Sequence, residues 1–347
     1  VGARIVDRAA RAIAREARGL RLVVVADRRV ARLVAPAVLP ALARAGARPL
    51  LLTFPAGERF KTRATKDRLE DRLAARGVGR DALVLALGGG VTGDVAGFLA
   101  ATWQRGVPVV QMPTSLLAMV DAALGGKTGV DLPAGKNLVG AFHPPRALWV
   151  DVALLRSLPE REYRAGLAEA VKTAAVLDRR LFETLERDAA RILARDGRCV
   201  LGVVSRCLRL KARVVASDLR DEGPRAILNF GHTVAHAVEA AGGYRVRHGE
   251  AVSMGLVAEA RLAQRLAGFP REASERIEAL LRRFGLPVAL PRGLDPRLVA
   301  RLARRDKKSR AGSVHCALPS SLGRFSRPDP TVPIDLRRDL LPVLIRN

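Results

Sequence analysis

Cysteine is scarce: Cys199, Cys207 and Cys316 are the only three, an odd number with no Cys-x-x-Cys pair. That count excludes a disulfide scaffold and points to a reduced, cytoplasmic protein. No run of 18 uncharged apolar residues occurs, so no membrane span is expected. The first residues lack a charged-then-apolar leader pattern, so no signal peptide is expected either. Aromatic residues make up 4% of the chain, too few to build a platform on which bases stack. Lysine and histidine are also rare, at eight and five residues.

What the chain does contain is apolar surface and arginine. With 347 residues, 49% of them hydrophobic, it can bury two cores, so two packed units are expected. The net charge of +26 at first suggests a nucleic-acid partner. Yet 52 of the 60 basic residues are arginine, spread over the outer positions of helical stretches such as RAARAIAREARGLR. This is a solvated arginine-rich surface, and no nucleic-acid partner is expected.

Lysine carries more information. A chain that otherwise uses arginine keeps lysine where a compact ammonium does what a planar guanidinium cannot. Lys61, Lys127, Lys136, Lys172, Lys211, Lys307 and Lys308 lie beside glycines or acids, in settings such as GERFK, GGKTG, AGKN, AEAVK and RDKK. These settings suggest an anionic substrate or cofactor. Lys66 is read as a chance survivor.

The first half alternates short apolar runs with amphipathic helical stretches. Leu22–Ala26, Pro49–Thr53, Ala82–Leu87 and Val107–Gln111 read as buried strands of parallel βαβ units. After Asp151 the strand signals nearly vanish. Residues 160–217, 228–242, 248–268 and 271–284 carry a 3.6-residue period, and a last strand pair is expected near Val314–Leu318. The expected fold is an α/β, Rossmann-like domain over 1–158, then a mostly α-helical domain over 159–347, with Pro159 at the boundary.

Leu83 to Leu87 runs into Gly88-Gly89-Gly90-Val91-Thr92-Gly93-Asp94, an apolar strand that enters a glycine loop and then a helix. Such glycines let the backbone approach a pyrophosphate at a helix N-terminus. The loop follows the third strand rather than the first, and no acid stands near position 113 to hold a ribose. Asp27 and Glu58 are the available partners, and Pro113-Thr114-Ser115 closes the next strand.

Three of the five histidines cluster: His232, His236 and His248. His232 and His236 are i and i+4 on one helix face, a spacing that suits zinc. The glutamate of His-Glu-x-x-His is missing, so a metalloprotease is excluded. Catalytic zinc needs a third ligand and an open position, and Glu169 in Ala-Glu-Ala-Val-Lys is the best carboxylate. His143 and His315 are solitary and read as structural. Cys199 and Cys207 read as packing residues.

Taken together, GGGVTGDVAGF, PTSLLAMVDAALGGKTGVDLPAGKNLVGAFHPP, GLAEAVK, RAILNFGHTVAHAVE, HGEAVSMG and RRDKKSRAG resemble the 3-dehydroquinate synthase family of sugar phosphate cyclases, over about residues 1–325. The resemblance implies that Glu169, His232 and His248 bind a divalent metal, zinc with cobalt as the alternative. It implies NAD binding by Asp27, Glu58, Lys61, the segment Gly90, Val91, Thr92, Gly93 and Asp94, then Thr114, Ser115, Asp121, Lys127, Lys136, Leu154 and Ser157. Substrate contacts fall to Lys127, Asn137, Lys172, Lys211, Arg225, Asn229 and His236, with Lys307 or Lys308. Arg105 matches the arginine that reaches a neighbouring subunit's site, which implies a homodimer.

The implied reaction converts 3-deoxy-D-arabino-heptulosonate 7-phosphate to 3-dehydroquinate and phosphate, in the shikimate pathway of aromatic amino acid biosynthesis. It passes through oxidation at C5, loss of phosphate, re-reduction, ring opening and aldol closure, so NAD is used catalytically. The alternatives are another sugar phosphate cyclase, making an amino-dehydroquinate, valiolone or inosose, or a metal-dependent alcohol or glycerol dehydrogenase. The sequence departs from the family pattern at Ala56, Asp221, Pro224 and Ala235. Of these, Asp221 in place of glutamate matters most.

Overall fold

The computed structural model describes residues 1–304, 314–324 and 329–345. The chain divides into two compact units, Val1–Pro159 and Glu160–Asn347.

The first unit is built on seven strands: β1 Arg21–Asp27, β2 Leu50–Phe54, β3 Ala82–Gly88, β4 Val109–Pro113, β5 Lys127–Leu132, β6 Gly135–Phe142 and β7 Ala147–Leu148. Helices α1 Val6–Glu16, α2 Arg28–Leu33, α3 Ala35–Arg44, α4 Arg63–Ala74 and α5 Gly90–Thr102 connect the early strands. Five strands form a parallel sheet in the order β2-β1-β3-β4-β7. Its faces bury alternate residues. Leu22, Val24, Leu83 and Leu85 pack with Ile13 of α1 and Val38 and Leu42 of α3. Val23, Val25, Val84 and Ala86 pack with Leu69 of α4 and Val95 and Leu99 of α5. Continuous apolar runs are what a strand covered on both faces requires.

All four expected strands form, with edges shifted by at most two residues. The β5–β6 antiparallel hairpin was not expected. Its residues alternate weakly and are rich in glycine, because Gly129 and Gly140 face each other across it. A Cβ on Gly140 would lie 1.9 Å from the Thr128 carbonyl oxygen.

The second unit contains α6 Glu160–Leu177, α7 Arg179–Arg187, α8 Ala189–Leu193, α9 Gly197–Ser217, α10 His232–Ala241, α11 His248–Leu266, α12 Arg271–Arg283, α13 Pro296–Ala303 and α14 Leu341–Ile345. Strands β8 Val314–Ala317 and β9 Thr331–Ile334 form the expected late pair. The helical stretch 160–217 is broken into four helices. The breaks fall at aspartates: Asp178 accepts from the Leu181 amide and Asp196 from the Cys199 amide, each capping a new helix. Within 228–242 the helix begins only at His232, because Gly231 turns the chain with φ +83°. No helix among the described residues is long and apolar enough to cross a membrane.

Candidate active site

In the first unit, the strand order reverses direction of growth between β1 and β3, and their carboxyl ends flank the place where such sheets take ligands. Asp27 ends β1 and the glycine loop ends β3. Helix α5 starts at Gly90, so the amides of Gly90, Val91 and Thr92 are first-turn donors without helical acceptors. Together with the helix dipole they suit an anion. Gly88 must lack a side chain here, since its Cβ would lie 2.4 Å from Thr92 Oγ1. Thr92 Oγ1 donates to Asp27 Oδ2 at 3.3 Å, while Asp27 Oδ1 caps α2 through the Arg29 and Val30 amides. The Thr114 amide donates to the Gly88 carbonyl, and Ser115 Oγ accepts from the Ala118 amide. Asp121 follows in the short helical turn Ala118–Ala122, beside Gly90.

A charged network ties this loop to the hairpin. Lys61 Nζ lies 2.5 Å from Asp94 Oδ2 and donates to Asn137 Oδ1, while Lys136 Nζ pairs with Glu58 at 3.0 Å. Burial works against the Lys61 ammonium, but Asp94, Glu58 and Asp131 outweigh it and hold Lys61 above its ordinary value. Burial also raises Asp131, against the pull of Lys61. Asn137, expected at the substrate, is thus joined to residues expected at the cofactor. Leu154 packs on the apolar layer of α1 and α3, and Ser157 Oγ donates to its carbonyl. Lys127 and Arg105 are exposed. Gln104, Arg105 and Gly106 all have positive φ, a strained turn that projects Arg105.

In the second unit, Glu169 of α6, His232 at the start of α10 and His248 at the start of α11 offer ligand atoms that all lie within 4.8 Å of one another. His248 Nε2 is 3.2 Å and His232 Nε2 3.5 Å from the same Glu169 oxygen, Oε1. Two ligands on tetrahedral zinc at its usual bond lengths stand about 3.4 Å apart. Both distances to Glu169 match that spacing, and two imidazoles with a carboxylate are a donor set whose chemistry fits zinc.

Two glycines of α11 allow the convergence. A Cβ on Gly249 would lie 1.9 Å from the Ala165 carbonyl of α6, and one on Gly255 would lie 1.9 Å from the Gly231 carbonyl before α10. Any side chain at either position would push His248 away from its partners.

The protons follow from the neighbours. His232 Nδ1 donates to the Phe230 carbonyl at 3.2 Å, which leaves the Nε2 lone pair facing Glu169. Burial and the nearby Lys172 ammonium hold His232 below its ordinary value. His248 places both ring nitrogens against carboxylates, Nε2 to Glu169 and Nδ1 to Glu239 at 3.4 Å. Burial opposes its charge, but these two hydrogen bonds outweigh it and push the group up to about 10. Burial likewise opposes the Glu169 carboxylate, yet Lys172 and the histidines hold it well below the usual range. Lys172 Nζ stands 2.6 Å from Glu169 Oε2, both fully buried.

His236 lies one turn after His232, with ring centroids 5.5 Å from His232 and 6.4 Å from His248. Lys211 is buried on α9. Arg225 is buried in the turn before Asn229, and its Nη1 donates to the Leu219 carbonyl. Lys307 and Lys308 lie outside the described residues. The sequence reading missed Glu239, which orients His248, and Asp218, whose carboxylate accepts from the Glu222, Gly223 and Arg225 amides and so shapes the Arg225 loop. Glu239 stands three residues after His236, a same-face spacing that was available as a signal.

Two family matches span most of the chain: 3-dehydroquinate synthase N-terminal over residues 51–165 and 3-dehydroquinate synthase C-terminal over residues 166–309. A 3-dehydroquinate synthase from Synechococcus sp. is 46% identical over 316 residues, covering 90% of this chain and 85% of that protein. Among solved structures, 2-epi-5-epi-valiolone synthase from Streptomyces hygroscopicus, with NAD+ and Zn2+ bound, superposes with a TM-score of 0.87 at 30% identity. It covers 100% of this chain and 96% of its own. A 2-deoxy-scyllo-inosose synthase complexed with carbaglucose-6-phosphate, NAD+ and Co2+ shares the fold, with a TM-score of 0.84 at 24% identity over 100% of this chain and 95% of that one. With both units matched and the ligand triad assembled, the chain belongs to the 3-dehydroquinate synthase family of lyases.

Proposed function

We propose that the chain closes 3-deoxy-D-arabino-heptulosonate 7-phosphate into 3-dehydroquinate and releases phosphate, with Glu169, His232 and His248 holding zinc and the β3–α5 loop holding NAD. The observation that carries this reading is the convergence of those three ligand atoms within 4.8 Å of one another, with both histidines 3.2–3.5 Å from one Glu169 oxygen. Held there, the metal would lower the pKa of the alcohol to be oxidised, and NAD would accept and later return the hydride of the carbon that bears it.

The chain's own residues supply the rest. Phe230 fixes the His232 tautomer and Glu239 orients His248, so the ligands need little rearrangement. Lys172, Lys211 and Arg225 are buried cations, and charges removed from water attract a substrate phosphate and carboxylate more strongly than surface ones. Asn229 ends the turn before α10 and His236 lies one turn after His232 on α10, and both serve as polar contacts to the substrate. Lys61, Asp94 and Asn137 brace the cofactor loop against the hairpin. The strained, exposed turn at Arg105 suits contact with a second copy, so the active form is a homodimer, measurable by sedimentation. Three free cysteines suit the reducing cytoplasm.

The test is direct. The purified chain is incubated with the heptulosonate phosphate, zinc and NAD in catalytic amount, and the carbocycle and phosphate are measured. Equal amounts of 3-dehydroquinate and phosphate, without net NADH, are expected. Phosphate release from a different sugar phosphate alone would overturn the substrate, and steady NADH accumulation would favour a dehydrogenase.

A further inference from the structure

Glu259 is fully buried in the middle of α11, where a carboxylate is costly unless its oxygens are bonded. Both are. Oε2 accepts from the Gly231 amide at 2.7 Å and Oε1 from the Val234 amide at 2.9 Å. Those two amides bracket His232, the first residue of α10. A negative charge on first-turn amides is favoured by the helix dipole, and charge-assisted bonds of this kind are short and strong. Gly255 lies four residues before Glu259, on the same face of α11, and makes the close approach to the Gly231 carbonyl. Gly255 brings the two backbones together and Glu259 then locks them. An apolar side chain would leave both buried amides without an acceptor, so the carboxylate is what holds the start of α10 against α11.

We infer that Glu259 is a positioning residue for the metal centre. It sets the rotation and depth of the α10 N-terminus, and so the direction of His232 Nε2, from the same helix that begins with His248. One rigid element thus places two of the three ligands. This rests on the zinc reading of the triad given above.

The experiment compares zinc affinity, by competition with a chromogenic chelator, in the wild type, Glu259→Gln and Glu169→Gln, with helix content followed by circular dichroism. An amide keeps one acceptor but turns an NH2 toward the second backbone amide. Glu259→Gln is expected to bind zinc about 10–100-fold more weakly, as outer-shell losses do. Its zinc-induced rise in Tm should shrink, whereas a merely structural role would lower Tm with and without zinc equally. Wild-type zinc affinity in folded Glu259→Gln overturns the inference. Failure of the wild type to bind zinc, or binding unchanged in Glu169→Gln, overturns the metal reading instead. A second measurement covers a variant that does not fold: zinc should slow hydrogen exchange at the Gly231 and Val234 amides of the wild type, because coupling between two sites is reciprocal. Unchanged exchange at both amides also overturns the inference.

Discussion

If Glu169, His232 and His248 hold zinc as proposed, adding zinc to the metal-free chain at controlled pH counts the protons those three side chains store. Without metal, Glu169 is ionised, His232 is held below its ordinary value and His248 is pushed up to about 10. Near pH 7 the triad therefore holds one exchangeable proton, on His248, whose two nitrogens both donate to carboxylates. A ligand nitrogen must give up its proton, so each zinc ion should expel one, and apparent affinity should rise about tenfold from pH 6.5 to 7.5. The assay is calorimetric titration of zinc in buffers of different ionisation enthalpy, which yields the number of protons released. Stability gives an independent check. His248 has a folded value above its unfolded one, so its contribution is complete below about pH 6.5 and is lost as pH rises through about 10. The melting temperature of the stripped protein should fall across that window. Release of no proton would refute the reasoning, since His248 would then be neutral already; release of two would place a second proton on His232.

Other outcomes follow from single contacts. Lys172→Arg keeps the charge but not the shape of a fully buried ammonium 2.6 Å from Glu169, so phosphate release should drop at least about a hundredfold with the fold intact. Gly255→Ala places a methyl against the Gly231 carbonyl, and chemical denaturation should show a loss of about 1–3 kcal/mol, with weakened zinc binding. Asp218→Ala removes the acceptor of three amides in the Arg225 loop; KM for the sugar phosphate should rise about tenfold with kcat less affected, measured by steady-state kinetics.

Much of this protein was legible from local pattern. The buried strands announced themselves as continuous apolar runs, and the glycines after β3 marked the turn into α5. The clustering of His232, His236 and His248 pointed to the part of the chain where the candidate metal group forms, although that group takes in His232 and His248 and not His236. The β5–β6 hairpin stayed hidden because its defining contact, Gly140 against Thr128, lies across strands rather than along one. Asp218 and Glu259 stayed hidden for the same reason, since their partners are backbone amides that no composition or spacing exposes.

The sequence by itself determined the element types, because strand and helix periods arise from backbone geometry that each segment carries with it. It also determined which residue types could bind a metal or an anion. The sequence offered Glu169 as a candidate, but only the tertiary structure brings it to the histidines, since Glu169 and His248 stand 79 residues apart in the chain and meet at 3.2 Å. It alone decided which histidine keeps a proton and which presents a lone pair. Both outcomes turn on charges and carbonyls brought within a few ångströms in a medium drier than water, where Coulomb forces act more strongly than in solvent.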